Sequence, residues 1–171
     1  MHCDLLYRPS AAELYPHGLV NAVRIDMPGV ADVLCGGLCL GHSEALAGTV
    51  NRLFNIVQPD LSSFGEKDFG QLVLIRRMVE EVRMPINVVG APVVRTPDGL
   101  TMSSRNQYLS EEERKVALRI YEELSKAAEA IETESPALSE IMQLESKSRA
   151  ALTAEGFKVD YFSVVSINSL R

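Results

Sequence analysis

Two short stretches hold the residue types that could do chemistry. The first is Phe64-Gly65-Glu66-Lys67-Asp68-Phe69-Gly70-Gln71. Gly65 lets a backbone come close to a ligand. Lys67 brings a mobile positive charge suited to a phosphate or carboxylate, and the free N–H groups of a helix start attract anions. Asp68 and Gln71 lie three apart, so on a helix they share a face. A capped helix with solvated charges would read the same way. The second stretch is Leu100-Thr101-Met102-Ser103-Ser104-Arg105-Asn106, behind the turn Thr96-Pro97-Asp98-Gly99. Two hydroxyls, their amides and a guanidinium make an anion cradle with no acceptor to be neutralised. A polar loop that happens to contain arginine is the plain alternative.

The elements around them must do the positioning. Leu46, Val50, Leu53 and Val57 recur at helical spacing, and Leu72, Ile75, Val79 and Val82 form a second such face. Between and after them, Leu61–Phe64 and Ile86–Val89 read as short strands, with Pro92–Val94 extended. Strands alternating with helices predict a parallel α/β sheet. In such sheets ligands bind beyond the carboxyl ends of the strands, which points to the loops after Phe64 and after Val94. Cys3–Tyr7 and Leu19–Met27 also read as strands, the latter by weak alternation. Ser10 is placed to cap a helical turn through Leu14.

The pattern changes at Ser110. Ser110-Glu111-Glu112-Glu113 has the capping-box arrangement, and Ala117, Tyr121, Leu124, Ala128 and Ile131 share one helix face behind it. A polar linker is expected at 132–136, then a helix from Ala137 to Glu155 closed by Gly156, then a strand-like run over Val159–Ile167. These features predict a parallel α/β domain over 1–109 and a small α+β domain over 110–171.

Composition narrows the setting. Apolar residues are 46 % and charged residues 23 % of the 171, which supports a folded core and disfavours disorder. No apolar run approaches the ~20 residues of a membrane span, and the net charge of −6 argues against nucleic acid as a partner. Cys3, Cys35 and Cys39 are an odd set without a zinc pattern, consistent with a reducing cytoplasm.

Taken in order and spacing, Phe64–Gln71, the helix behind it, Val88-Val89-Gly90-Ala91-Pro92 and Asp98–Leu109 resemble the pantothenate synthetase (pantoate–β-alanine ligase) family. Met102-Ser103-Ser104-Arg105 is also similar to the mobile nucleotide-binding loop of class I aminoacyl-tRNA synthetases, related to that family. The likeness runs from Asp4 to about Leu170. It implies a partial Rossmann-like parallel sheet of the nucleotidylyltransferase superfamily. It also implies an ATP- and magnesium-dependent joining of pantoate to β-alanine through a pantoyl adenylate, on the route to coenzyme A, in a parent enzyme that is a homodimer.

Carried over by position, the resemblance places Gly65, Glu66, Lys67 and Asp68 against ATP. Lys67 bridges phosphate and the pantoate carboxylate, and Asp68 helps hold magnesium. Gln71 binds pantoate, the Val94 backbone contacts adenine, and Met102, Ser103, Ser104 and Arg105 close over the phosphates. Lys67 and Arg105 are the residues expected to act in catalysis. Three departures stand out. The family's His-x-Gly-His segment has no counterpart, since His2, His17 and His42 form no such pair, so a truncated enzyme with little turnover is expected. Only Gly41 and His42 survive of a stretch replaced here by Cys39–Leu46. Gly70 stands where the family commonly has glutamine. A non-catalytic nucleotide-binding remnant and a related enzyme with another acid substrate are the alternatives.

Overall fold

The structure, a computed structural model, describes residues 3–29 and 41–167. The chain divides into two compact units, Met1–Ala91 and Pro92–Ser169. The segment 92–109 thus groups with the helices behind Ser110, where the sequence reading ends its first domain at 109.

In the first unit, α1 (Ala11–Leu14) starts at a capping box: the Ser10 hydroxyl accepts from the Glu13 N–H and the Glu13 carboxylate from the Ser10 N–H. Then come α2 (His42–Val57), β1 (Leu61–Gly65), a 3-10 turn (Glu66–Asp68), α3 (Phe69–Glu81) and β2 (Asn87–Ala91). The two strands run parallel, from Leu61 opposite Asn87 to Gly65 opposite Ala91. This is the strand–helix–strand unit that the alternating pattern predicts, and the chain is of the α/β class. The apolar spacing fixes where its core sits. Ala47, Val50 and Phe54 of α2 meet Leu74, Ile75, Met78 and Val79 of α3, with Phe64 and Val88 of the strands packed against them. Phe54 and Phe64 meet edge to face, with 6.3 Å between ring centres. Val82 and Val57, assigned to the buried faces by spacing alone, lie at the helix ends and are exposed.

Two expected strands do not form. Leu19–Asn21 is a 3-10 turn, residues 22–27 are irregular, and Cys3–Tyr7 has no strand pairing. Alternation gives a segment two faces, but a ladder also needs a neighbour's backbone groups. Here the Arg52 guanidinium donates to the Val23 carbonyl at 3.0 Å instead, and Ile25 and Met27 pack against the helical core. Cys35, Cys39 and His2 lie outside the described residues. His42 opens α2 behind Gly41, whose φ of 78° makes it the left-handed cap.

In the second unit a hairpin formed by Arg95 opposite Thr101 leads to a 3-10 turn (Ser104–Tyr108), then α4 (Glu111–Glu134) and α5 (Leu138–Ala154). The Ser110–Glu113 capping box is present, and Gly156 takes the left-handed conformation expected of it. Three details differ from the sequence reading. α4 runs on to Glu134, which shortens the linker. Its buried stripe is Glu123 and Ala127, while Tyr121 and Leu124 are exposed and Ala128 faces out. Val159–Ile167 is not a strand. Both shifts have one cause: Ala127, Leu152 of α5 and Phe162 form a cluster, joined by Phe157 and Val159, so the tail packs side chains onto the helix pair rather than pairing backbone. The Glu145 carboxylate takes the Val164 N–H at 2.6 Å. No helix among the described residues is long and apolar enough to cross a membrane.

Candidate functional site

The first candidate segment, in the first unit, is built at the tip of β1. Parallel pairing with β2 carries the chain to Gly65, where it leaves the sheet extended (φ −72°, ψ 135°). A Cβ on Gly65 would meet nothing within 4 Å, so no protein contact demands glycine here. The 3-10 turn then presents Glu66, Lys67 and Asp68 to solvent. Asp68 stands at the cap of α3 but accepts no capping hydrogen bond, which removes half of the plain alternative: its carboxylate is not committed to the helix. Among the described residues no ion pair or hydrogen bond holds the Lys67 ammonium. Gln71 is half-buried in the first turn of α3. Gly70 adds no strain, because α3 runs unbroken through it and a Cβ there would point into open space.

Gly90 shapes the surroundings of this segment. It pairs with Phe64 across the sheet. A Cβ on it would lie 2.7 Å from Glu66 Oε1 and 3.0 Å from Leu72 Cδ2. Glu66 can swing away, but Leu72 is fully buried and cannot. Gly90→Ala is therefore expected to cost about 1–3 kcal/mol by overpacking and to displace Glu66. Chemical denaturation measures the first effect; an unchanged midpoint would contradict the packing described.

The second candidate segment, in the second unit, is the hairpin 94–102 and the turn behind it. Met102 N–H donates to the Val94 carbonyl at 2.9 Å and Thr96 N–H to the Leu100 carbonyl at 2.8 Å. Val94 and Met102, which the sequence places on opposite sides of a turn, are thus directly paired. Gly99 closes the turn at φ 96°, and its N–H donates to the Thr96 carbonyl at 2.9 Å. Ser103 caps the 3-10 turn, its Oγ accepting from the Arg105 N–H at 3.2 Å. That amide is therefore not free for an anion, a correction to the simple cradle; the exposed Ser104 and the Arg105 guanidinium remain available. Asn106 Nδ2 donates to the Thr101 carbonyl at 2.9 Å. Thr96, Leu100, Met102, Ser103, Ser104, Asn106 and Arg114 line an open hollow of about 530 Å³. Two bonds from Arg114, at 2.7 and 3.3 Å, and one from Thr96 hold the Asp98 carboxyl far below the usual carboxylate range. Sequence reasoning missed Arg95, Arg114 and Tyr121, which surround this turn. The one available signal was a cation just before the Thr96–Gly99 turn.

These features define a class: an α/β protein whose candidate chemistry lies beyond the carboxyl end of a parallel strand pair and on a serine- and arginine-bearing loop. Comparison with known proteins gives the particular family. The sequence model of the pantoate-beta-alanine ligase family matches residues 1–171, and the chain belongs to that family. It is 43 % identical over 169 residues to the pantothenate synthetase of Pseudomonas savastanoi pv. phaseolicola, covering 99 % of this chain and 59 % of that relative. It is 45 % identical over 172 residues to the Pseudomonas fluorescens protein, covering 99 % and 58 %. The crystal structure of pantothenate synthetase from Thermus thermophilus superposes with a TM-score of 0.86 at 38 % identity, over 98 % of this chain and 59 % of that one. Pantoate-beta-alanine ligase from Francisella tularensis, complexed with beta-gamma ATP and beta-alanine, gives 0.70 at 29 % identity, over 92 % and 55 %. The chain thus spans somewhat under three fifths of the length of these relatives.

Proposed function

We propose that this chain carries part of the substrate site of an ATP-dependent ligase that condenses pantoate with β-alanine to pantothenate, in the cytoplasm and within a homodimeric parent. Two supports carry the reading: membership of the family, and the uncommitted Lys67 and Asp68 at the strand tip. In this reading the pantoate carboxylate attacks the α-phosphorus of ATP. The α–β phosphoanhydride bond breaks, and pyrophosphate leaves with its electron pair. The β-alanine amine then attacks the acyl carbon of pantoyl adenylate, AMP leaves, and an amide forms with loss of the amine proton. Neither step needs a protein nucleophile; both need charge neutralisation and alignment.

Lys67 sits between phosphate and the pantoate carboxylate, lowering the repulsion between two anions that must approach. Gln71, one helical turn on, takes the pantoate hydroxyl and carboxylate. Gly65 and Glu66 border the nucleotide, the Val94 backbone reads adenine, and Met102, Ser103, Ser104 and Arg105 cover the phosphates. No group of three or more His, Cys, Asp or Glu among the described residues could hold a metal on its own. Magnesium would be held by Asp68 together with nucleotide phosphates, a usual arrangement for that ion. When bound it supplies screening of the triphosphate charge.

The test is calorimetric titration of Mg·ATP into the 171-residue chain, with pantoate present and absent, alongside an assay for pyrophosphate. Binding that tightens with pantoate is expected. Because these residues contain no His-x-Gly-His pair, little pyrophosphate release is expected from the chain tested by itself. Absence of binding under both conditions would overturn the assignment of these residues to the nucleotide.

A further inference from the structure

The hairpin that carries Val94 and Met102 is clamped to α4 by two independent contacts, neither of which includes a residue assigned to substrate. The Arg95 guanidinium carbon lies 3.8 Å from the centre of the Tyr121 ring. The same side chain donates through Nη1 to the Gly99 carbonyl at 3.1 Å and to Thr101 Oγ1 at 2.6 Å. Tyr121 in turn closes on the turn itself: a Cβ on Gly99 would lie 2.7 Å from its Cδ1. On the other side, Arg114 of α4 grips the Asp98 carboxylate by two nitrogens, and Thr96 Oγ1 donates to that carboxylate at 2.5 Å. A planar fork that is both stacked and hydrogen-bonded fixes direction as well as distance.

We propose that Arg95, stacked on Tyr121, is a positioning residue that registers the Met102–Arg105 loop on α4, with the Asp98–Arg114 pair as the second clamp. The proposal rests on the reading above that this loop covers nucleotide phosphates. Val94 and Met102 share a hydrogen bond, so whatever sets the hairpin sets the adenine contact and the phosphate loop together. Met102 enters the loop one residue after Thr101, to which Arg95 is bonded. Thr101 also anchors Asn106 through its carbonyl, so the far end of the Met102–Asn106 segment returns to the one residue that Arg95 holds. The loop is thereby kept in one arrangement before any ligand arrives, which lowers the ordering cost of binding.

The test compares Arg95→Met, Tyr121→Leu and Tyr121→Phe with the parent chain, by site-resolved amide hydrogen exchange and by Mg·ATP titration. In Arg95→Met and Tyr121→Leu, the amides of Thr96, Met102 and Asn106 should exchange roughly tenfold faster, while those of α5 keep their protection. Tyr121→Phe, which retains the ring, should behave as the parent. ATP affinity should fall in the same order, by about tenfold where protection is lost. Unchanged protection at Met102 in Arg95→Met would overturn the proposal. So would equal loss in α5, which would mean that Arg95 merely holds the unit together. A parent chain that binds no Mg·ATP yet shows this exchange pattern would remove the nucleotide reading and leave the positioning role standing.

Discussion

Lys67→Ala should weaken Mg·ATP binding by roughly ten- to a hundredfold, the worth of a hydrogen bond to a charged group, and leave the melting temperature where it is. The two halves of that expectation come from the same observation. Lys67 is exposed in the turn Glu66–Asp68 and, among the described residues, nothing in the protein holds its ammonium. Removing it breaks no internal contact, so its effect on stability should stay within about 0.5 kcal/mol, as for most surface changes. A lysine left uncommitted between two carboxylate-bearing neighbours, at the tip of a parallel strand pair, contributes no contact to folding, and the proposal above assigns its charge to the ligand. Calorimetric titration reads the affinity and a thermal melt the stability. An unchanged affinity would move Lys67 off the phosphate and take the proposed alignment of pantoate with it. Arg105→Ala offers a parallel comparison in the second unit, because Arg105 too is exposed and its side chain has no partner among the described residues.

What could be read from the sequence divides along a physical line. Features encoded locally were legible. The Ser10 and Ser110 caps, the Thr96–Gly99 turn and the Gly156 helix end each depend on a few neighbouring residues, and each is where its residues say. The strand–helix–strand core was legible because two helical stripes bracketed short apolar runs. Features that depend on a partner were not. Leu19–Met27 and Val159–Ile167 have the alternation of strands, but no alternation supplies the second strand. The phase of α4 was misread for the same reason: Tyr121, Leu124 and Ala128 form as good an apolar stripe as the one that is buried. The choice is made by Phe162 and Leu152 closing on Ala127. For the candidate site, residue types single out Lys67, Asp68 and Arg105 as candidates, and the structure leaves their side chains exposed. The residues that shape their surroundings, Gly90 beneath Glu66 and Arg95 against Tyr121, matter only through distances that no spacing rule contains.

Core and site should therefore be separable by mutation, and Ile75→Ala is the sharper half of that contrast. Ile75 has no exposed surface and lies with Leu72 and Met78 among the most deeply buried side chains of α3. It belongs to the cluster in which α3 meets Ala47, Val50 and Phe54 of α2. Truncation removes apolar contacts and leaves a void that the surrounding helices and strands cannot close, a change that costs about 2–5 kcal/mol. Against a total stability of about 5–15 kcal/mol for a typical domain, that should lower the melting temperature by about 4–20 °C. Yet Ile75 lies on the core side of α3, whereas Lys67 and Asp68 precede the helix in a solvent-facing turn. Below its lowered melting point, Ile75→Ala should bind Mg·ATP as the parent does. The double variant with Lys67→Ala should show the sum of the two separate effects, since the residues share no partner. Weakened binding in Ile75→Ala at temperatures where it is fully folded would show that the strand tip takes its geometry from the depth of the core. The site would then begin one layer further inside the protein than the exposed turn.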